Sequence, residues 1–465
     1  MQGSYNINFP VVFCDTDGCE MEKWIVRIPL IPRLAFPEEK MRGEIATMKY
    51  VSEKTKIPIP QLYGYSISSD NVLGQPFMLL EFIEGQTLHS VLEFLEANEE
   101  KRKHVYSQLG LIYLELFQQQ FDRIGALTLD ETDQNWVFKH NRPLTISIND
   151  QEVGGLNVCQ YLSKHQTFTS TVDYAYMLLN TIFNEFYHRR DSVYDEEDAR
   201  CYIYSLYLAQ GVIMEWIRPE FNHGPFILMH KDLRPCNIIV DDNLNSISVL
   251  DWEWSHTVPT QLFVPPSWLT RRTLLSITHP ISMILYNHEL YHFLTAMERR
   301  EYADYNPSKS LTATLPLTNL WREFRQNHHL FLAFGLQSPG CFSSVFLNVV
   351  DTHYFGLNRK ERMRDFFERV IRQPALSVVE QKLNEARLFQ QECERLGIGV
   401  EPPIDLEAET MSSGNRTKQA MLPAENAIHF NTRPAEQLSV GRLQWPLISI
   451  TVFASVFILM KYHWK

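Results

Sequence analysis

Apolar runs of strand length, separated by polar turns, occupy much of the first eighty residues. The runs lie at 9–13, 24–28 and 77–82. The polar turn at 15–18 separates the first two, which is the pattern of a β-hairpin. Residues 38–55 repeat apolar side chains at helical spacing, and this predicts an amphipathic helix with Glu44 beside its apolar stripe. We therefore predict a strand-rich domain with one helix over residues 1–84.

Helical periodicity dominates after this region. Val105, Leu109, Ile112 and Leu116 mark one face of a long amphipathic helix. Further helical patterns lie at 172–189, 200–217 and 317–396. Two short apolar runs at 237–240 and 246–250, joined by a polar turn, predict a small hairpin among these helices. Residues 85–400 are therefore expected to form a second, mainly helical domain.

The end of the chain changes character twice. Residues 401–440 are rich in polar and loop-forming types, which predicts a flexible linker. Residues 443–464 contain an apolar run that falls slightly short of a bilayer span. Two interpretations stay open, a transmembrane tail anchor and a docked hydrophobic helix. An anchor at this position would leave the folded domains in the cytoplasm, tethered to the cytosolic face of a membrane.

Charge and cysteine content narrow the function classes. The formal net charge of −12 over 465 residues argues against a nucleic-acid-binding protein, which needs a basic face. The cysteine count is odd, at seven. Cys14 and Cys19 flank the first turn, so they form either a disulfide or incidental thiols in a reducing compartment, the second being the expectation. The N-terminus shows no apolar leader segment.

One motif carries the chemistry. Asp232 and Asn237 have the spacing H-x-D-x-x-x-x-N after His230, and Asp251 follows the predicted hairpin. Phosphoryl transfer needs a carboxylate that accepts the proton of the attacking hydroxyl, which suits Asp232. It also needs hard oxygen ligands for Mg²⁺, which suit Asn237 and Asp251. The hairpin would bring the three side chains to one site.

Alternative interpretations of these residues are weaker. His230 is expected to support the loop through its backbone contacts rather than to react. A zinc site formed by His223, His230 and His256 fits the acid and amide pattern less well than Mg²⁺ does. A chance combination of two turn residues and a helix cap would need an unusual coincidence of spacing.

The motif resembles the aminoglycoside phosphotransferase and choline-kinase-like branch of the protein-kinase fold, and most of all its large fungal group. Supporting stretches are Gly3-Ser-Tyr-Asn6, residues 35–40 leading into Glu44, and residues 252–269. The resemblance spans about residues 3–390. It implies an α+β, bilobal protein-kinase-like fold with a small β-rich N-lobe and a larger, mainly helical C-lobe. It also implies ATP and Mg²⁺ as cofactors and the hydroxyl of a small molecule as acceptor.

The resemblance assigns further roles by position. Gly3 and Ser4 would belong to the loop over the phosphates, and the segment from Glu81 to Ile83 would be the hinge that binds adenine. Glu44 would pair with Arg27, which stands where the family has lysine, and an arginine is not a neutral exchange. For Arg234 two interpretations stay open, a second cation near the γ-phosphate and a solvated surface residue.

Two function classes therefore compete. The first is an ATP-dependent small-molecule kinase, favoured by the intact Asp232, Asn237 and Asp251. The second is a kinase-like binding or scaffold protein that transfers nothing, favoured by Arg27 and by the short stretch before the phosphate loop. A protein kinase fits poorly, because no Ala-Pro-Glu element follows Asp251 and Trp252-Glu253 replaces the Phe-Gly pair. The acceptor itself is not encoded in any recognisable pattern.

Overall fold

The computed structural model describes residues 3–15, 20–138, 141–304 and 316–399. The linker predicted at 401–440 and the apolar segment at 443–464 lie outside these residues, as does most of the first turn. Both therefore stay predictions. None of the helices in the described ranges is long and apolar enough to cross a membrane.

Backbone contacts divide the described chain into two compact units. The first contains residues 3–34 and 61–82, and the second contains residues 35–60 and everything described from residue 83 onward. The first unit is strand-rich and the second mainly helical, in the order that the sequence predicts. The helix predicted over 38–55 is grouped with the second unit, whereas the predicted domain line lies at residue 84. That domain line stays a prediction.

The first unit is an antiparallel four-stranded sheet in the order β1-β2-β4-β3. Its strands are β1 Asn6–Cys14, β2 Glu20–Pro29, β3 Leu62–Ser66 and β4 Phe77–Glu81. Val26, Phe77 and Leu79 form its buried core, because alternate residues of each strand face the same side. Trp24 and Tyr63 stack beside this core with ring centroids 4.6 Å apart. The sequence predicts β1, β2 and β4 but not β3.

The second unit begins with helix α1, Pro37–Lys54. Proline at the first helical position and two glutamates in the first turn suit a helix N-terminus. Glu39 in that turn forms a buried, bidentate ion pair with Arg142 at 2.9 and 3.1 Å. Trp136 donates from its indole nitrogen to the carbonyl of Ala46 at 3.1 Å. These contacts hold α1 against the rest of its unit.

The remaining helices of the second unit pack around a core rich in aromatic side chains, including Tyr113, Phe263, Phe293 and Trp321. The helices are α2 Leu88–Glu96, α3 Glu99–Phe117, α4 Ile146–Val153, α5 Thr171–His188, α6 Glu196–Trp216, α7 Pro280–Asp304, α8 Leu317–Gln326, α9 His329–Gln337, α10 Phe342–Val345, α11 Asp351–Phe355, α12 Arg359–Glu368 and α13 Gln373–Leu396. A π-helical turn, Phe346–Val350, joins α10 to α11. The sequence predicts α3, α5 and α6 closely but not the long α7.

Short strands of the second unit form small antiparallel sheets in the orders β11-β10-β5, β12-β9-β6 and β7-β8. They are β5 Gln86–Thr87, β6 Gln120–Phe121, β7 Thr128–Leu129, β8 Trp136–Val137, β9 Phe226–Met229, β10 Ile238–Val240, β11 Ser246–Val249 and β12 His256–Pro259. The predicted hairpin is β10-β11. Asp241 shapes its turn by accepting from the backbone N–H groups of Asn243 and Asn245 at 2.9 and 2.8 Å. Gly85 permits the close approach of β5, because a Cβ there would lie 2.6 Å from Ile239.

Candidate active site

The predicted catalytic loop follows strand β9 directly, and His230 holds its first turn. The buried imidazole lies 2.9 Å from the carbonyl oxygen of Leu250 through Nε2, and its Nδ1 accepts from the backbone N–H of Asp232 at 3.1 Å. This pairing requires the proton to sit on Nε2, which donates to the carbonyl. Burial lowers the pKa of His230, so the ring stays neutral and structural. The contacts agree with the supporting role expected from the sequence.

The side chain of Asp232 is bound by two residues of the same loop. Arg234 forms a bidentate pair with its carboxylate, with Nε 2.5 Å from Oδ1 and one terminal nitrogen 2.8 Å from Oδ2. Asn237 donates from Nδ2 to Oδ2 at 3.0 Å and to the carbonyl of Asp232 at 2.9 Å. The amide nitrogen of Asn237 is therefore committed to Asp232. Its amide oxygen is the atom left to act as a metal ligand.

The end of strand β11 is joined to this loop through backbone and ring contacts. Leu250 donates its N–H to the carbonyl of Asn237 at 2.8 Å. The buried Trp252 lies against His230 with ring centroids 4.6 Å apart. Asp251, between them, has a φ of +63°, a left-handed backbone that is uncommon outside glycine and clusters at functional sites. The charges of Asp232 and Asp251 both act to raise the pKa of His230, against the larger effect of burial.

Carboxylates of Glu44, Asp251 and Glu253 converge at the same strand end. One oxygen from each lies within 4.8 Å of the others, and in the described part of the chain this is the group of three that could hold a metal ion. Hard oxygen donors at this spacing fit Mg²⁺. Helix α1 supplies the first carboxylate, and the segment after β11 supplies the other two.

Lys40 binds two of these carboxylates inside the second unit. Its ammonium lies 3.1 Å from Glu44 and also forms an ion pair with Glu253. The three side chains are only 2%, 2% and 6% exposed, and the ammonium faces the ring of Trp254 at 5.7 Å. We call Lys40, Glu44 and Glu253 the buried triad. Because buried charges need partners, the triad ties α1 to the segment that carries Asp251.

Sequence reasoning missed Lys40 and Glu253 as members of the site. Two signals could have identified them. Lys40 lies four residues before Glu44 on a helix, so the two share a face. Glu253 lies two residues after Asp251, and so shares the segment that follows the hairpin.

Most of the predicted nucleotide-binding residues belong to the first unit. Gly3 and Ser4 lie shortly before β1, and the carbonyl of Ser4 accepts from Arg33 at 3.0 Å. Arg27 is a buried residue of β2. Glu81 ends β4, and its carboxylate accepts from the backbone N–H of Gln61 at 3.0 Å. Ile83 is among the first residues of the second unit. The ion pair of Arg27 with Glu44 would join the two units and stays a prediction.

The histidines of the alternative zinc site each have hydrogen-bond partners. His256 lies 2.9 Å from the hydroxyl of Tyr174 and 2.9 Å from the carbonyl of Trp254. His223 contacts the carbonyl of Thr169 and the side chain of Asn222. These contacts occupy both ring nitrogens of His256 and His223, as the loop does for His230. They favour structural roles for the three rings.

Comparison with known proteins decides the family. The model of the phosphotransferase enzyme family matches residues 6–260, more than half of the 465-residue chain. The chain belongs to the phosphotransferase enzyme family. The match runs from β1 to β12 and includes Asp232, Asn237 and Asp251. It confirms the resemblance drawn from the sequence and the expected α+β, kinase-like fold class.

Individual relatives of this phosphotransferase-family chain are distant. A 93-residue segment is 30% identical to altered inheritance of mitochondria protein 9 of Meyerozyma guilliermondii, covering 20% of this chain and 15% of that protein. A 102-residue segment is 30% identical to a subtelomeric hrmA-associated cluster protein of Aspergillus fumigatus, covering 22% of this chain and 19% of that protein. The chain therefore spans less than a fifth of the length of either relative.

The comparison with solved structures also found an aminoglycoside phosphotransferase and an ethanolamine kinase. The GDP complex of aminoglycoside 2'-phosphotransferase-IIIa is 12% identical, covers 83% of this chain and 91% of its own, and has a TM-score of 0.39. Ethanolamine kinase of Plasmodium vivax is 12% identical, covers 81% of this chain and 82% of its own, and has a TM-score of 0.36.

Proposed function

We propose that this protein transfers the γ-phosphate of ATP to a hydroxyl group of a small molecule. Asp232 accepts the proton of the attacking hydroxyl, and Arg234 and Asn237 hold its carboxylate in one orientation. The observation that carries the proposal is this orientation, because a general base must be positioned before its proton affinity matters. Membership of the phosphotransferase family supports the same chemistry.

The metal and nucleotide roles follow from the donor set. The amide oxygen of Asn237 and the carboxylate of Asp251 would hold Mg²⁺, with Glu44 and Glu253 nearby. When bound, the ion neutralises charge on the β- and γ-phosphates. By resemblance to the family, Gly3 and Ser4 would bind phosphate through backbone N–H groups, and Arg27 would bind phosphate or Glu44 through its guanidinium.

Adenine and the reacting phosphoryl group would be bound by the remaining residues. By the same resemblance, main-chain groups of Glu81 and Ile83 would hydrogen-bond the adenine edge. Arg234, which pairs with Asp232, would also contact the phosphoryl group as it moves toward the acceptor oxygen. The two interpretations that the sequence left open for Arg234 are therefore compatible. Its side chain is partly exposed to solvent, and it still contributes a cation to the site.

The experiment is ADP release from MgATP by the purified full-length chain, measured against a panel of hydroxylated compounds. Kanamycin, hygromycin B and ethanolamine belong in the panel. We expect at least one acceptor to stimulate ADP release, and EDTA to abolish the stimulation. A thermal shift with MgATP but no acceptor-dependent release would favour the alternative, a kinase-like nucleotide-binding or scaffold protein. Neither a shift nor release would contradict both.

A further inference from the structure

Helix α7 carries a five-residue pattern that the phosphotransferase chemistry does not use. Residues 288–292 read His-Glu-Leu-Tyr-His, which has the form H-E-x-x-H. Two histidines four residues apart on a helix lie on one face, and this spacing is used to bind zinc. In metalloproteases the glutamate of the pattern serves as the general base. The positions of these side chains in the structure show whether the histidines can bind a metal and whether the glutamate can act as a base.

The two imidazoles contact each other through their Nε2 atoms. His288 and His292 face each other with their Nε2 atoms 3.3 Å apart and their ring centroids 4.6 Å apart. Two zinc–nitrogen bonds of about 2.0–2.1 Å to atoms at that separation enclose an angle of about 107° at the metal, close to tetrahedral. The separation of the two nitrogens therefore suits two ligands of one tetrahedral metal ion, which would replace the proton that the rings share.

The helix that carries the pair is held firmly from behind. Gly110 of α3 allows Met297 of α7 to approach so closely that an added Cβ would lie 3.0 Å from it. Tyr106 of α3 packs its ring edge-on against Phe293, with centroids 5.7 Å apart. The histidines lie on the other side, with the side chain of His288 66% exposed. The pair is thus accessible to a metal while its backbone is fixed.

Glu289 takes a supporting position rather than a catalytic one. Its Oε2 accepts from the hydroxyl of Tyr106 at 2.8 Å and lies 3.6 Å from Arg102. Its Oε1 faces Nδ1 of His288 at 3.6 Å. A carboxylate on that side favours the proton on Nδ1 and leaves the Nε2 lone pair of His288 directed at His292, as in metal sites where a second carboxylate orients a histidine ligand.

We propose that His288 and His292 form a surface site for a first-row transition-metal ion such as Zn²⁺, with water in the remaining positions. The ligand set is two imidazole nitrogens, which suit Zn²⁺, Ni²⁺ or Cu²⁺ and not Mg²⁺. The site is separate from the oxygen cluster around Asp251. Because Glu289 is committed to Tyr106 and Arg102, the site binds metal without supplying the base of a hydrolytic enzyme.

The test is Zn²⁺ binding by the full-length chain, measured by competition with a chromophoric chelator in a large excess of Mg²⁺. The magnesium competes with Zn²⁺ for sites built of oxygen ligands, such as the cluster around Asp251. We expect the wild type to bind one equivalent more than His288→Gln/His292→Gln, and each single variant to bind roughly tenfold more weakly or worse. His89→Gln, which removes an exposed histidine of α2, is the matched control and should bind like the wild type.

Two further measurements separate a loss of metal binding from a loss of folding. Circular dichroism without metal should be the same for all variants, and His288→Gln alone alters a mostly exposed side chain, so it preserves the fold even if the double variant does not. Co²⁺ absorption should show nitrogen and oxygen ligation that disappears in His288→Gln. Equal zinc stoichiometry and affinity in the wild type and the variants would overturn the proposal, as would a Co²⁺ spectrum that is the same in the wild type and in His288→Gln.

Discussion

Two groups of ion pairs lie near the candidate active site, and they differ in their exposure to solvent. One is the buried triad, and the other is the pair of Asp232 with Arg234. Lys40 and Glu44 are 2% exposed, whereas the side chains of Arg234 and Asp232 are 44% and 15% exposed. Buried charges are costly when a partner is removed, but exposed pairs contribute little to stability. The triad should therefore determine whether the second unit folds, and the exposed pair should determine whether the folded protein reacts.

The largest expected effect on stability follows from removing the cation of the triad. Lys40→Met leaves Glu44 and Glu253 buried without the ammonium that both contact, and it should lower the free energy of unfolding by about 3–5 kcal/mol. Urea denaturation measures this change. The matched control is Arg42→Met on the same helix, because Arg42 forms an exposed pair with Glu38 and its loss should cost at most about 1 kcal/mol. Equal losses in both variants would remove the distinction between buried and exposed pairs.

The next effect concerns the metal ligands beside the triad. Asp251→Ala should weaken MgADP binding roughly a hundredfold and Asn237→Ala roughly tenfold, because a carboxylate offers the ion a full charge and an amide only a dipole. Isothermal titration calorimetry measures both affinities. Arg42→Met, whose side chain is exposed, serves here as the control with wild-type binding. Identical affinities in the two alanine variants and the wild type would contradict the metal roles.

A third prediction uses a buried histidine near the catalytic loop. Burial, together with the charge of Lys231, lowers the pKa of His256 from its ordinary 6.5 to about 3. Below pH 6.5 the unfolded chain therefore takes up a proton that the folded chain refuses, and stability falls as the pH drops toward 3.

Relative to His256→Gln, the wild type should lose up to about 1.4 kcal/mol of unfolding free energy per pH unit in this window. Urea denaturation at several pH values between 7 and 4.5 measures the two slopes, and the comparison cancels contributions from other groups such as His230. Parallel slopes would show that His256 is not held neutral in the folded protein.

The smallest effect is expected at the exposed pair. Arg234→Gln should change the free energy of unfolding by less than about 1 kcal/mol, because water and salt screen an ion pair at this exposure. Urea denaturation at low and high salt tests it. A loss of unfolding free energy comparable to that of Lys40→Met would mean that the loop depends on Arg234 for folding. It would contradict the assignment of stability to the buried triad and of reactivity to the pair of Asp232 with Arg234.

The catalytic loop and several elements of the fold could be predicted from the sequence. The spacing of His230, Asp232 and Asn237 predicted the loop, because these residue types at that spacing serve one reaction. Apolar periodicity likewise predicted α1, with its buried Met41 and Ile45. Periodicity was also sufficient for β1 and β2, whose bounds it made too short.

The missed features depend on contacts between distant segments. Lys40 and Glu253 are 213 positions apart in the chain, and only the folded unit shows that they form an ion pair. Helix α7 was missed although its H-E-x-x-H pattern is visible in the sequence, because apolar side chains such as Ile281 and Ile284 also lie on its exposed side and obscure the apolar period. Strand β3 contains Tyr63, Gly64 and Tyr65 and is only half-buried, so no clear alternation marks it.

The role of Asp232 as the base is tested by transfer of radiolabelled γ-phosphate from ATP to an acceptor, measured for the wild type and for Asp232→Asn in parallel. We expect acceptor-dependent labelling by the wild type and a loss of about 10²–10⁴-fold in the variant, since the amide cannot take the proton. MgADP affinity and unfolding free energy should stay close to those of the wild type. Labelling of the acceptor at similar rates by both proteins would contradict the assignment of Asp232 as the base.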